Sequence, residues 1–335
     1  MRGKGIHYDT GTRMDGGWTR ESFDVAVAER ELGVIAEQLH CTAVRITGSD
    51  PGRLGDAAAL AAAAGLEVWL SPFPCGLTTG EMLPLFAECA DVAEELRRGG
   101  ADVTLITGGE LSLFAHGFVP GDDFFSRVAV FTSRTPELAA LRESASEQLN
   151  AFLAEVVDAV RPRFGGQLTY ASVPFERVDW SRFDYVGVDA YRVAKNADRY
   201  AAEIRDLHRH GLPVVITEFG CCAFRGAADL GARGFLVVDQ QARPWRLDGG
   251  HQRDEQEQAK YLRDLLRIFA EENVDTAFWY TFAGYRFPHH PDPRHDLDMA
   301  SFGVVRIDPD GTLTPKASFA ALADIYGERT APMPR

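Results

Sequence analysis

Eight short runs rich in β-branched and aromatic residues are spaced along the chain, at residues 5–10, 41–47, 66–71, 103–107, 167–172, 185–191, 214–218 and 276–282. Between them apolar residues recur at every third and fourth position, the spacing of one helix face. Residues 23–39, 80–98, 135–161, 197–210 and 255–272 carry that pattern most plainly. Strands that alternate with helices imply a parallel sheet, because a parallel neighbour is reached only through a crossover. Eight such units point to a closed barrel more than to an open sheet, and 335 residues suit one (β/α)8 TIM barrel with some long loops.

Punctuation supports this division. Gly65, Gly100, Gly166 and Gly211 each fall between a helical stretch and the next strand, where a left-handed cap is expected. The repeat is uneven in two places. Only residues 173–184 separate the fifth and sixth strands, so the helix there is expected to be vestigial or replaced by a turn. Residues 220–258, after the seventh strand, form a connection far longer than usual and rich in Gly, Arg and aromatic residues, as lids and specificity loops are. Two smaller domains would also fit the length. No linker, low-complexity segment or repeat of 20–50 residues divides the chain, however, and residues 1–335 are expected to form a single domain.

A formal charge of −14 and a pI near 5.1 argue against a nucleic-acid partner, since no basic stripe is present to displace counterions from phosphates. The five cysteines, Cys41, Cys75, Cys89, Cys221 and Cys222, have no repeated spacing and read as reduced thiols. The first residues lead into a strand-like run without an apolar secretion segment, and no apolar run is long enough to span a bilayer. These features together favour a cytoplasmic protein with no membrane partner. They leave the oligomeric state open.

Two strands end in a carboxylate. Glu110 closes Val103-Thr-Leu-Ile-Thr-Gly-Gly-Glu, and Glu218 closes Pro213-Val-Val-Ile-Thr-Glu. The C-terminal mouth of a parallel barrel is where catalytic groups sit, and the two strands are three β/α units apart, so the carboxylates are expected to face one another there. Glu110 has a plainer reading as the cap of a following helix, near its positive dipole end. Glu218 ends an apolar barrel strand with a charge that folding alone does not require.

The sequence Ile216-Thr-Glu-Phe-Gly220 resembles the nucleophile strand of the clan A glycoside hydrolases. The resemblance implies that Glu218 is the nucleophile and Glu110 the acid/base of a retaining pair, whose carboxyl groups stand about 5–5.5 Å apart. It extends along the chain. Ala43-Val-Arg-Ile46 is similar to the strand that supplies an arginine to the nucleophile, implying that role for Arg45. Asp184-Tyr-Val-Gly-Val-Asp-Ala-Tyr191 is similar to the strand whose tyrosine, here Tyr191, bonds to it. Phe278-Trp-Tyr-Thr-Phe282 resembles the last strand, implying Trp279 as the platform beneath the sugar, and residues 302–316 resemble the segment leading into the final helix. The family usually has an asparagine just before the acid/base. This chain has Gly109, as in the β-mannanase-like branch with its Gly-small-Glu-Leu strand end.

Other residues could contact substrate. His7 and Asp9 end the first strand and His116 follows Glu110 by six positions, while Trp18 and Trp245 lie in loops; each also has an ordinary packing reading. Residues 289–296 hold three histidines and two aspartates, but the prolines among them indicate an extended loop, and no metal or cofactor is expected. A Schiff-base aldolase would need a lysine in the barrel mouth, yet Lys4, Lys195, Lys260 and Lys316 all lie outside the strand cores. The sequence therefore favours a retaining hydrolase of small β-glycosides or oligosaccharides. The rival is a barrel of glycosidase ancestry turned to a specialised small molecule or to carbohydrate binding alone.

Overall fold

A computed structural model describes residues 1–14, 17–132 and 135–328. Its core is one sheet of eight parallel strands: Gly3–Gly11 (β1), Ala43–Gly48 (β2), Glu67–Pro72 (β3), Val103–Gly109 (β4), Gln167–Ala171 (β5), Val186–Asp189 (β6), Val214–Phe219 (β7) and Thr276–Trp279 (β8). The order runs from β5 through β4, β3, β2, β1, β8 and β7 to β6. The ring closes where Ser172 N–H donates to Gly187 O at 3.0 Å and Asp189 N–H donates to Ser172 O at 2.8 Å. The fold is thus the (β/α)8 barrel that the alternation of periods implies.

Helices form the outer ring: Val25–Glu37 (α1), Pro51–Ala63 (α2), Thr79–Arg98 (α3), Leu111–Phe114 (α4), Phe124–Thr132 (α5), Leu138–Val160 (α6), Tyr200–Asp206 (α7), Ala227–Leu230 (α8), Glu255–Glu271 (α9) and Ala317–Gly327 (α10). Their starts are set by side-chain caps. Asp24 accepts from Val27 N–H, Asp50 from Arg53 N–H just before Pro51, and Asp254 from Glu257 N–H. The connection between β5 and β6 holds only a 3-10 turn, Trp180–Arg182. The expected 197–210 helix is an α-helix followed by a 3-10 turn, and β8 ends at Trp279, before the expected boundary. Gly65, Gly100 and Gly211 have left-handed backbones, but Gly166 does not. A side chain at Gly166 would meet the Phe164 ring 2.2 Å away, so that glycine answers a need for space.

The strand period of two sorts each strand into an inner and an outer face. Ala43, Trp69, Ile106, Ala171, Tyr185, Val215 and Phe278 point inward and fill the lower barrel. The Trp69 ring lies 5.1 Å from that of Tyr185 and 5.2 Å from that of Phe278. Above this plug the inward residues turn polar, with His7, Arg45 and Asp189 buried among them. The segment after β7 has a core of its own: Cys222, Phe224, Ala227, Val237, Val238 and Leu247 pack against Met299 and Phe302 of the segment after β8. Among the described residues no helix is long and apolar enough to cross a membrane.

Candidate active site

Both strand-end carboxylates follow an irregularity in their strand. On β4, Ile106 pairs with Thr169 and Gly109 with Ala171, so β4 carries one more residue than β5 across this stretch. Between β6 and β7, Val188 pairs with Ile216 and Asp189 with Glu218, so β7 carries the extra residue, and it carries one against β8 as well, with Ile216 opposite Ala277 and Phe219 opposite Trp279. An extra residue breaks the inward-outward alternation and re-aims a side chain. It allows Thr217 and Glu218, adjacent in sequence, to bond to groups of the barrel interior.

Glu218 accepts one hydrogen bond and has two nitrogens close by. Tyr191 Oη donates to its Oε1 at 2.6 Å, while Arg45 Nη1 lies 3.7 Å and His7 Nε2 4.0 Å from Oε2. Arg45 is fully buried. It also donates to Ser71 Oγ at 3.1 Å, to Thr217 O at 3.0 Å and to Asp189 Oδ1 at 3.2 Å. Asp189 is fixed further by Thr217 Oγ1 at 2.6 Å. Burial and the nearby guanidinium hold His7 well below its ordinary range, so it is neutral here. Its Nε2 meets Thr47 Oγ1 at 2.7 Å, and its buried Nδ1 has no partner.

Glu110 completes the cluster. It has a left-handed backbone, φ 48°, and occupies the N-cap position of α4, but its side chain makes no capping bond. Its carboxyl faces the buried Asp189 and Glu218 carboxylates instead. Burial pushes Glu110 well above the usual carboxyl range, and the negative charges of Asp189 and Glu218 push it the same way. Burial also lifts Glu218, to about 7, with Asp189 adding to the rise and Arg45 and Tyr191 opposing it. The strained turn is braced from below. Leu111 N–H donates to Tyr170 Oη at 2.8 Å, Tyr170 donates to Glu176, and Glu176 also accepts from Ser112 and Val173.

Gly109 has a steric reason. A Cβ there would lie 3.0 Å from Arg45 Nη2, 3.2 Å from Ala171 Cβ and 3.4 Å from Phe73 Cε2, so a side chain at this position would press first on the buried Arg45 guanidinium and on Ala171. Trp279 requires correction as the sugar platform. It lies on the outer face of β8, fully buried, with its ring against Phe219 and its Nε1 donating to Phe302 O at 3.1 Å. It has no surface to offer a ligand. The inward residue is Tyr280, half-buried, its ring 4.8 Å from His7 and its hydroxyl in the field of Glu218.

Asp9 accepts from Gly11 N–H at 2.8 Å and faces Tyr280 and Arg286 at the rim. His116 is held off the cluster: its N–H donates to Leu77 O, and its ring faces Arg127 and Glu81. The sequence reading missed Asp189, Tyr280 and Glu176. The signal for the first was a charge at an inward parity position of β6. For Tyr280 it was the alternation Phe278-Trp279-Tyr280.

The histidines of residues 289–296 are engaged in the turn itself, His289 with Asp296, His290 with Asp292 N–H and His295 with Trp245 O. Among the described residues no group of three His, Cys, Asp or Glu is placed to hold a metal ion. Cys221 and Cys222 are buried, and burial raises both thiols.

No protein-family model matches the chain. No curated protein sequence matches it either. Its fold does match solved structures. A GH113 β-1,4-mannanase is 16% identical with a TM-score of 0.64, over 98% of this chain and 100% of that one. The GH113 β-mannanase AaManA from Alicyclobacillus acidocaldarius, in complex with ManMIm, is 16% identical with a TM-score of 0.62, over 97% of each chain. Saccharomyces cerevisiae Gas2p in complex with laminaripentaose is 13% identical with a TM-score of 0.53, over 98% of this chain and 65% of that one. The chain therefore shares the barrel of clan A glycoside hydrolases.

Proposed function

We propose that the protein is a retaining glycoside hydrolase acting on small β-glycosides or short oligosaccharides, with Glu218 as nucleophile and Glu110 as acid/base. The observation that carries this reading is the asymmetry of the two carboxyls. Glu218 receives Tyr191 and the Arg45 charge, which favour its anion, while burial and the neighbouring negative charges favour the protonated form of Glu110. An anion and an acid on opposite strand ends are what double displacement needs. Glu218 attacks the anomeric carbon as the bond to the leaving oxygen breaks, and Glu110 gives that oxygen its proton. Glu110 then takes a proton from water, which attacks the glycosyl ester and frees Glu218.

A small substrate is favoured by a row of phenylalanine rings joining the segments after β3, β4 and β7. Phe73 lies 4.8 Å from Phe114, Phe114 4.6 Å from Phe124, and Phe124 6.4 Å from Phe235. These rings wall one side of the mouth, where a polymer would need an open trough.

The test is hydrolysis of aryl β-glycosides of the manno, gluco, galacto and xylo series. Wild type is expected to release aryl alcohol from at least one, Glu218→Ala from none, and Glu110→Ala is expected to regain turnover with azide. A folded wild type inert on the whole panel would transfer the barrel to the non-hydrolytic or specialised small-molecule reading.

A further inference from the structure

The buried cations of the barrel have acceptors close by: Arg20 has Glu31 at 3.0 Å, Arg45 has Asp189 at 3.2 Å, Lys316 has Asp298 at 3.3 Å, and Arg127 donates to Leu113 O at 2.6 Å and Gly121 O at 2.9 Å. Arg253, partly buried, has Asp296 at 2.7 Å. Arg286, in the segment after β8, is different. It is half-buried, and it has neither an ion pair nor a side-chain hydrogen bond among the described residues. Its guanidinium lies over the Trp245 ring, 4.8 Å from the centroid, and its nearest ionisable neighbours are Asp9 and Tyr280. Asp9 does not neutralise it, since that carboxyl is turned to Gly11 N–H and the Thr19 side chain, and burial favours its protonated form.

The position of Arg286 gives it a use. It lines a cleft of about 910 Å3 between the segments after β1 and β8, together with Trp18, Tyr285 and Trp245. Tyr280 lies between Arg286 and the carboxylate cluster: it is a near neighbour of Arg286, and its ring stands 4.8 Å from that of His7, whose Nε2 is 4.0 Å from Glu218. A half-buried guanidinium that opens on a cleft without a protein acceptor has its fork available, and that flat fork suits a bidentate oxyanion. Stacking on Trp245 fixes the plane of that fork in advance, so little freedom is lost when a ligand arrives.

We infer that Arg286 reads an oxyanion, a carboxylate or a phosphate ester, on the sugar held beside Glu218, which makes the substrate an acidic glycoside. The word glycoside rests on the hydrolase reading above; the recognition of the anion does not. The net charge of −14 slows the approach of an anion, so the selectivity lies in how long the ligand stays.

The experiment uses phenyl 1-thio-β-glycosides, which resist hydrolysis, in matched sets: the neutral sugar, its uronate and its 6-phosphate, in the gluco and manno series. Dissociation constants are measured by calorimetry on wild type, Arg286→Lys and Arg286→Ala. In at least one set the uronate or the phosphate binds about tenfold or more tightly than the neutral sugar, and which of the two does so identifies the oxyanion. Arg286→Ala removes the difference while leaving neutral binding within about twofold, and Arg286→Lys keeps part of it. Equal or tighter binding of the neutral sugar in every set overturns the inference, as does a preference that survives Arg286→Ala or an absence of binding by every acidic sugar. If Arg286→Ala does not fold, Arg286→Gln takes its place with the same criteria. Acidic preference without turnover of the corresponding aryl glycoside refutes the hydrolase reading alone. Turnover of neutral glycosides without acidic preference refutes this inference alone.

Discussion

Replacing Arg45 by methionine keeps most of its apolar stem and removes the one cation of the catalytic cluster. The guanidinium stands 3.2 Å from Asp189 and 3.7 Å from Glu218. At an effective dielectric of about 20, each ionised pair is worth roughly 4–5 kcal/mol before desolvation is counted. The sign of the pH effect follows from the raised carboxyls. A carboxyl whose folded pKa exceeds its unfolded one holds its proton better in the fold, so its ionisation drains stability as pH climbs from the ordinary carboxyl range towards the folded value. Arg45 limits that loss by stabilising the anions, and without it Glu218 rises beyond its present value of about 7. Near pH 5 Glu218 is protonated in both proteins, and Arg45→Met loses mainly hydrogen bonds and packing, about 1–3 kcal/mol. Near pH 8.5 it also loses charge compensation, a further 3 kcal/mol or so, or on the order of 5 °C in Tm. Thermal unfolding of wild type and Arg45→Met at the two pH values measures this. An equal Tm loss at both, or a larger one at acid pH, would show that Arg45 only packs and would refute the electrostatic account.

Two other substitutions separate neighbouring explanations. Gly109→Asn crowds the Arg45 guanidinium and Ala171 and is expected to cost about 1–3 kcal/mol without raising kcat/KM; Ala171→Gly in the same chain recovers part of the loss, as urea midpoints would show. At β8, Trp279→Phe lowers Tm through the lost bond to Phe302 and the void it leaves, with kcat/KM close to wild type. Tyr280→Ala does the opposite, lowering kcat/KM about tenfold or more with little change in Tm.

Much of this was legible in the sequence because it depends on period. The alternation of strand and helix predicts the barrel, and the strand-end positions of Glu110 and Glu218 place both at the mouth. Arg45 and Tyr191 fall where the family resemblance puts them, each bonded to or facing Glu218. What was not legible depends on register between strands. The extra residues in β4 and β7 cannot be seen until each strand has a neighbour to pair with, and they decide that Thr217 and Glu218 both reach the interior. Trp279 was favoured for its residue type, although parity from Phe278 already assigned the inward position to Tyr280. Glu176 braces α4 from a connection 64 residues away from Ser112, a contact that no local pattern contains.

The mouth is built in two parts. The strand ends supply Glu110, Asp189, Glu218, Arg45 and Tyr191, the set to which the proposed reaction assigns attack and proton transfer. Beside it the segments after β1, β7 and β8 form a second surface, where Trp18, Trp245, Tyr285 and Arg286 line one cleft, the side proposed to meet the substrate. The segment after β7 can carry part of that wall because it brings an apolar core, seated on Met299 and Phe302 and touching the barrel's strand ends through Tyr191 and Tyr280, and so holds Trp245 beside Arg286. A rigid barrel with loops packed on its strand ends separates reaction from recognition. Changes at Trp245 or Arg286 should therefore alter which glycoside is bound and leave Glu110 facing Asp189 and Arg45 beside Glu218.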